Sequence, residues 1–296
     1  MIGRVAIVTD STADLLPDLA AGQSISVVPL TVVLDGVSML DGIDITAADF
    51  YRRLPSSTTH PTTSQPSPGR FAEVYQQLLG DHAEVVSVHL SGKLSGTFAS
   101  ARQGAELAGA ERIRVFDSEF ASMPLGALVL VAATAAGRGA DGSEVVAELA
   151  RIRESMRCYF AVSTLEYLRR GGRLGSARAM LGSVLQIKPI LAIEGGEVVP
   201  LEQVRTQARA LARLVELAKS CDHGGGLCVV IGHAGAEELA AELAERLQAR
   251  AETLLIQPLG PVVGAHAGPG TVGVAIYPAE LFPLGLGRLI PAAASR

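Results

Sequence analysis

The sequence predicts an α/β protein of two domains, residues 1–157 and 158–296. The first domain is a mainly parallel sheet with helices on both faces, and the second is a mixed α+β unit. Three observations predict this. Strand-like apolar runs alternate with helical stretches through the first half, and most runs are apolar throughout, as strands covered on both faces must be. From Tyr159 the texture changes, and two short runs separated by Gly195-Gly196 carry a hairpin signal. A chain of 296 residues is also long enough to bury two cores of ordinary size.

In order along the chain, Arg4–Asp10 is a β-branched strand. It ends at Asp10-Ser11-Thr12-Ala13-Asp14, where the Ser-x-x-Asp spacing resembles a helix cap. Ile25–Leu34 is a second apolar run, and Thr46 caps a helix over Ala47–Leu54. Residues Pro55–Pro68 are too rich in Ser, Thr and Pro for regular helix. They lie inside a domain-sized pattern, which favours an ordered functional loop. Helix Arg70–Leu79, strand Val85–Leu90, a helix from Ser95, strand Arg112–Phe116 and helices to about Met156 follow. The run from Pro124 to Ala136 is apolar but falls well short of the roughly 20 residues needed to cross a bilayer, so it reads as a buried helix. Strand Tyr159–Val162, the Arg-rich segment Leu165–Arg178 and the strands Ile190–Ile193 and Glu197–Leu201 come next. Helices Thr206–Lys219 and Ala236–Gln248 then alternate with strands Leu227–Ile231, Thr253–Ile256 and Val272–Tyr277.

Composition excludes several functions. Aromatic residues are 4% with no Trp, and the net charge is −5, so neither base stacking nor a polyanion footprint is expected. Hydrophobic residues reach 48%, mostly Ala, Leu and Val. The N-terminus lacks a signal-peptide pattern, and Cys158, Cys221 and Cys228 are scattered without CxxC spacing. Both point to a cytoplasmic chain with core thiols rather than disulfides or a metal knuckle. No HxH or HExxH occurs, so neither a metal nor a metal-bound cofactor is expected.

In a parallel sheet ligands sit beyond the carboxyl ends of the strands. Three polar segments fall there: Asp10-Ser11, Ser91–Thr97 and Asp117-Ser118. Ser91-Gly92-Lys93-Leu94-Ser95-Gly96-Thr97 follows a strand and opens a helix, which makes an anion site from backbone N–H groups and hydroxyls. It fails as a phosphate-binding P-loop, because Leu94 stands where Ser or Thr must follow the lysine. A helix cap and a nucleophile are the other readings of Ser95. The second would make the chain a serine-dependent acyl hydrolase, although Lys93 stands where G-x-S-x-G requires Gly. His266 and His233 fall in Gly-rich turns. The arginines at 169, 170, 173 and 178, set among glycines, suit either a solvated loop or a docking or phosphate-contacting surface.

Together these motifs resemble the DegV family of bacterial fatty-acid-binding proteins. The likeness runs in order through Val8-Thr9-Asp10-Ser11-Thr12, Thr62-Thr63-Ser64-Gln65-Pro66-Ser67, Leu94-Ser95-Gly96-Thr97 and Asp117-Ser118. It continues in Leu165–Arg173, Ile187–Leu191, Val204-Arg205-Thr206 and His266–Gly270. The resemblance implies a lipid tunnel between or within two domains that holds one long-chain fatty acid such as palmitate. It implies a carboxylate bound by Thr63 and Ser95, with Ser64, Gly96 and His266 beside them. It further implies a carrier that has no catalytic residue and presents its lipid to a fatty acid kinase, with Arg173 and Arg205 as partner or phosphate contacts. Ser91-Gly92 and Pro124 depart from the family pattern.

Overall fold

The computed structural model describes residues 4–180 and 187–289. The first half runs β1 (Val5–Asp10), α1 (Pro17–Gly22), β2 (Ile25–Val28), β3 (Thr31–Leu34), β4 (Val37–Leu40), α2 (Ala47–Arg53) and β5 (Thr62–Ser64). It continues through α3 (Pro68–Asp81), β6 (Glu84–His89), α4 (Thr97–Ala108), β7 (Ile113–Asp117), α5 (Met123–Gly137) and α6 (Gly142–Ser155). The second half runs β8 (Arg157–Ala161), α7 (Glu166–Arg170), β9 (Lys188–Glu194), β10 (Glu197–Val204), α8 (Gln207–Lys219) and β11 (Leu227–His233). It ends with α9 (Glu237–Leu247), β12 (Ala251–Pro258), α10 (Pro261–Ala267), β13 (Val272–Pro278) and β14 (Arg288–Leu289).

The first-half strands β2-β1-β6-β7 form an all-parallel sheet, and the near-continuous burial of the central strands β1 and β6 is what its two covered faces require. The second half builds a seven-stranded mixed sheet in the order β10-β9-β8-β13-β11-β12-β14. The hairpin β9–β10 turns at Gly195-Gly196, where the sequence places it. Between the two sheets lies α5. It is apolar all round, as a helix with no face to water must be, and it packs on β1 and β6 from one side and on β8, β11 and β13 from the other.

Two expectations are corrected. The apolar run Ile25–Leu34 is not one strand. Pro29 has no N–H to donate to a ladder, and the chain leaves the parallel sheet after Val28 to start a separate antiparallel sheet, β4-β3-β5. That small sheet packs on α2 and α10 through Leu30, Val32, Phe50, Val262 and Ala265. The turn after β1 is capped by Asp10 rather than by Ser11. One oxygen of Asp10 accepts the Thr12 N–H at 3.0 Å, while the Ser11 hydroxyl accepts the N–H of Leu30.

Candidate functional site

The residues Pro55–Pro68 prove partly regular. Thr63 is the middle residue of β5 and pairs with Val32 of β3. Side chains alternate along a strand, so Thr63 turns inward while Thr62 and Ser64 are exposed. His266, expected in a turn, sits instead on α10. Pro261 begins this helix at a position where its missing N–H costs nothing, and Val262 and Ala265 bury its inner face. The strand and the helix bring Thr63 Oγ1 and His266 Nε2 to 2.8 Å.

His266 Nδ1 is buried and has no hydrogen-bond partner. Gly171 lies against it so closely that a Cβ there would stand 2.2 Å from that nitrogen, which gives one glycine of the Arg-Arg-Gly-Gly-Arg segment a steric reason. Burial first, and then the nearby Arg173 guanidinium and His60, push the His266 pKa down to about 4, so the ring is neutral at physiological pH.

Ser95 follows the carboxyl end of β6. Its hydroxyl accepts the Thr97 N–H at 3.3 Å and lies 2.9 Å from Thr97 Oγ1. The first-turn cap of α4 is Gly96, which faces outward from the cavity onto Gln65. A Cβ on Gly96 would stand 2.2 Å from Gln65 Oε1, and Gln65 Nε2 donates to Ser100 Oγ at 3.0 Å. Gln65 thereby fastens the segment carrying Thr63 to the loop carrying Ser95. Among the described residues the Ser95 hydroxyl bonds to Thr97 and to no imidazole, so nothing in its geometry favours an activated nucleophile.

Arg173 donates from Nε to the carbonyl of Leu94 at 3.0 Å and from Nη1 to that of Gly171 at 2.6 Å. Expected as a partner or phosphate contact, it lines the same cavity as Thr63, Ser95 and His266. A half-buried arginine bonded to two backbone carbonyls is not fully desolvated, which is how a cation is tolerated there. Arg205, by contrast, is exposed and lies outside the cavity lining, as do Ser64 and Gly96.

The cavity offers about 110 Å³ to the centre of a water-sized sphere. One water needs only about 10–15 Å³ on that measure. Its walls are mainly apolar, with Leu90, Met123, Phe160, Ile193, Val198 and Val262 among them, and the hydroxyls, imidazole and guanidinium named above interrupt them. An elongated ligand with a hydrocarbon body and an anionic end suits such a lining.

Two buried polar networks escaped the sequence reading. In the first, Asp10 accepts from Thr12 N, Thr12 Oγ1, Leu90 N and, at 2.9 Å, His89 Nδ1. His89 Nε2 is 2.7 Å from Ser87 Oγ, which accepts from the Tyr75 hydroxyl at 2.8 Å. The order Asp-His-Ser mimics a catalytic triad, but all four side chains are wholly buried and none lines the cavity. In the second, Asp14 accepts from Ser122 Oγ at 2.5 Å and from Gly260 N at 2.9 Å, with Asp41 beside it. Burial raises both carboxyls, Asp14 well above its ordinary value and Asp41 to about 7. Both networks join residues far apart in sequence, and no short motif announces them.

The model of the DegV family, described as an uncharacterised protein family, matches residues 4–279. The chain belongs to the DegV family. A DegV domain-containing protein of Streptomyces coelicolor is 40% identical over 280 residues, spanning 93% of this chain and 99% of its own length. The structure of a DegV family protein of Thermus thermophilus, described by its fatty acid binding, superposes with a TM-score of 0.89 at 37% identity and covers 93% of this chain and 99% of that one. DegV of Bacillus subtilis, described as a fatty acid binding protein, superposes with a TM-score of 0.84 at 34% identity, again over 93% and 99%. The α/β architecture with one parallel and one mixed sheet is therefore that of the DegV fold. Among the described residues no helix is long and apolar enough to cross a membrane, and no group of His, Cys, Asp or Glu could hold a metal ion.

Proposed function

We propose that this DegV family protein is a cytoplasmic carrier that holds one long-chain fatty acid non-covalently, its acyl chain in the apolar cavity and its carboxylate at Thr63, Ser95, His266 and Arg173. The observation that carries this reading is the cavity itself: mainly apolar walls that meet a Thr63–His266 pair, a second hydroxyl and one guanidinium. Its relatives described as fatty acid binding support the same ligand class.

In this reading the pair has one polarity. A neutral imidazole carries one proton. With that proton on Nε2, His266 donates to Thr63 Oγ1 and leaves the unpartnered Nδ1 as a bare lone pair. The Thr63 hydroxyl proton is then free to point at a carboxylate. His266 acts through Thr63 as a positioning residue. Arg173 adds charge complementarity without needing a direct bond. Burial of roughly 14 methylenes at about 0.8 kcal/mol each favours binding by roughly 11 kcal/mol gross, and ordering and association offset much of it. That balance suits a protein which must release its cargo.

Release goes, in this reading, to a fatty acid kinase that forms the acyl phosphate, with the exposed Arg205 on the docking face. The test is native mass spectrometry of the purified chain, followed by incubation with ATP and a fatty acid kinase from a DegV-containing bacterium. A retained C14–C18 acid converted to its acyl phosphate is the expected result. A chain that neither carries nor takes up such an acid refutes the ligand, and a lipid-loaded chain that no kinase accepts refutes the partner.

A further inference from the structure

One side chain lines both the cavity and a depression on the outer surface. Strand register gives the direction. In β8, Ala161 stands opposite Val272 and Ile190, next to Thr271, which lines the cavity together with His266. Cys158, also in the wall, is three residues back along the same strand, roughly 10 Å at about 3.3 Å per residue. On the neighbouring strand Ala192 pairs with Tyr159, so Ile193 falls level with Cys158 and on the same face of the sheet. Directly across the β9–β10 hairpin Ile193 pairs with Val198, and both side chains line the cavity.

Ile193 is half-buried, and it also lines a depression on the outer surface. The floor of that depression is Phe120 and Met156, and its rim carries Glu119, Arg153, Arg157 and Glu194. Three of these rim charges are already engaged. Arg153 pairs with Glu119 at 3.1 Å and donates to the carbonyl of Asp117 at 2.8 Å, while Arg157 donates to the carbonyls of Glu154 and Met156. Among the described residues Ile193 is the one member common to both linings.

We propose that Ile193 is the plug that ends the acyl cavity and sets the longest chain the protein accepts; this rests on the fatty-acid reading above. A β-branched side chain is a stiff stopper, because its χ1 has few open rotamers in a strand. Beyond the plug lies a floor of Phe120 and Met156 inside a rim of charged side chains. Both floor residues are buried, so a methyl end pushed past Ile193 gains less apolar contact there than inside the cavity, and a longer acid must buckle or stay out.

The test uses the full-length chain stripped of lipid and offered an equimolar mixture of C14 to C22 saturated acids, with the bound fraction read by native mass spectrometry. Ile193→Ala and the milder Ile193→Val raise the share of acids longer than the wild-type limit, by roughly tenfold for Ala, since one methylene in an apolar pocket discriminates on that scale. Ile193→Phe moves the limit to shorter acids by a similar factor. Thermal melting of each variant identifies those that keep the fold, and one folded variant suffices to read the shift. Folded variants with the wild-type acyl profile overturn the plug while the fatty-acid reading stands. A wild type that loads none of the acids overturns that reading and the plug with it.

Discussion

Two constellations in this molecule have the ingredients of a catalytic or binding site, and only one of them opens on a cavity. Asp10, His89, Ser87 and Tyr75 form an unbroken chain of donors and acceptors with no access to solvent. Thr63, Ser95 and His266 form a looser group at the cavity wall, with one imidazole nitrogen unpartnered. The first group is sealed from solvent and the second is not. A closed network has no room for a ligand, whereas hydroxyls on a cavity wall can turn toward one, whatever the residue types suggest.

The largest effect belongs to the complete network. Asp10→Ala strands four donors in the core, and a loss of roughly 3–5 kcal/mol in a urea titration is expected. The fraction that still folds should carry lipid normally. A folded, stable Asp10→Ala protein without lipid would reverse the comparison.

Proton linkage gives the next effect. His266 has a folded value of about 4 against 6.5 in the unfolded chain. Between these values the unfolded state binds more protons, so this contribution is present above pH 6.5 and is lost on acidification toward 4. Asp41 runs the other way, from 3.8 up to about 7, and Asp14 shifts in the same direction. Their contribution is full below the unfolded value and disappears as pH rises through the folded one. The slopes oppose each other over one window, which makes the wild-type profile shallow. In lipid-free protein, His266→Gln should lose stability as pH climbs from 4 to 7, and the double variant Asp14→Asn with Asp41→Asn should gain it. The His266 contribution amounts to roughly 3 kcal/mol. Melting curves across this range check both signs, and parallel profiles would remove His266 from the buried neutral set.

A smaller effect, largest on the ligand, belongs to the cavity group. In the proposed carrier Thr63→Ala and Ser95→Ala each delete one hydrogen bond to a charged ligand, roughly 1.5–3 kcal/mol or about ten- to a hundredfold in retention. Each also removes a bond within the protein, to His266 or to Thr97, so melting temperature without lipid should fall by a few degrees while retained lipid read by mass spectrometry falls far more. Smallest of all, Arg205→Glu should leave stability within about 0.5 kcal/mol and lipid content unchanged, while transfer by a partner kinase drops. Wild-type transfer would take Arg205 off the docking face.

Sequence carried much of the frame and part of the site. The apolar cores of β1 and β6 and the wholly apolar α5 are legible because burial on every side selects apolar residues over most of their length. Ser95 is legible for a local reason: a hydroxyl between a buried strand and a helix start is a familiar anion-friendly position. Thr63 is not. Its inward turn depends on pairing with Val32, thirty-one residues earlier in the chain, and a three-residue strand has no periodicity to read. His266 looked like a turn residue because glycines surround it, yet Pro261 and the buried Val262 and Ala265 start a helix ahead of them. The place of Arg173 in the cavity wall is not legible, because a cluster of arginines reads alike whether it faces a partner or a cavity, and its position rests on the bonds to Leu94 and Gly171.

The helix α5 has one more consequence, for how the chain folds. Each sheet alone would cover one side of it and leave the other bare. A polypeptide stopped after α6 would therefore present a long greasy helix to solvent, the kind of surface that drives association. The halves are distinct in strand topology but share this element, and neither is expected to fold by itself. Separate expression of the two halves should give insoluble material, and unfolding of the intact chain should proceed as one cooperative transition.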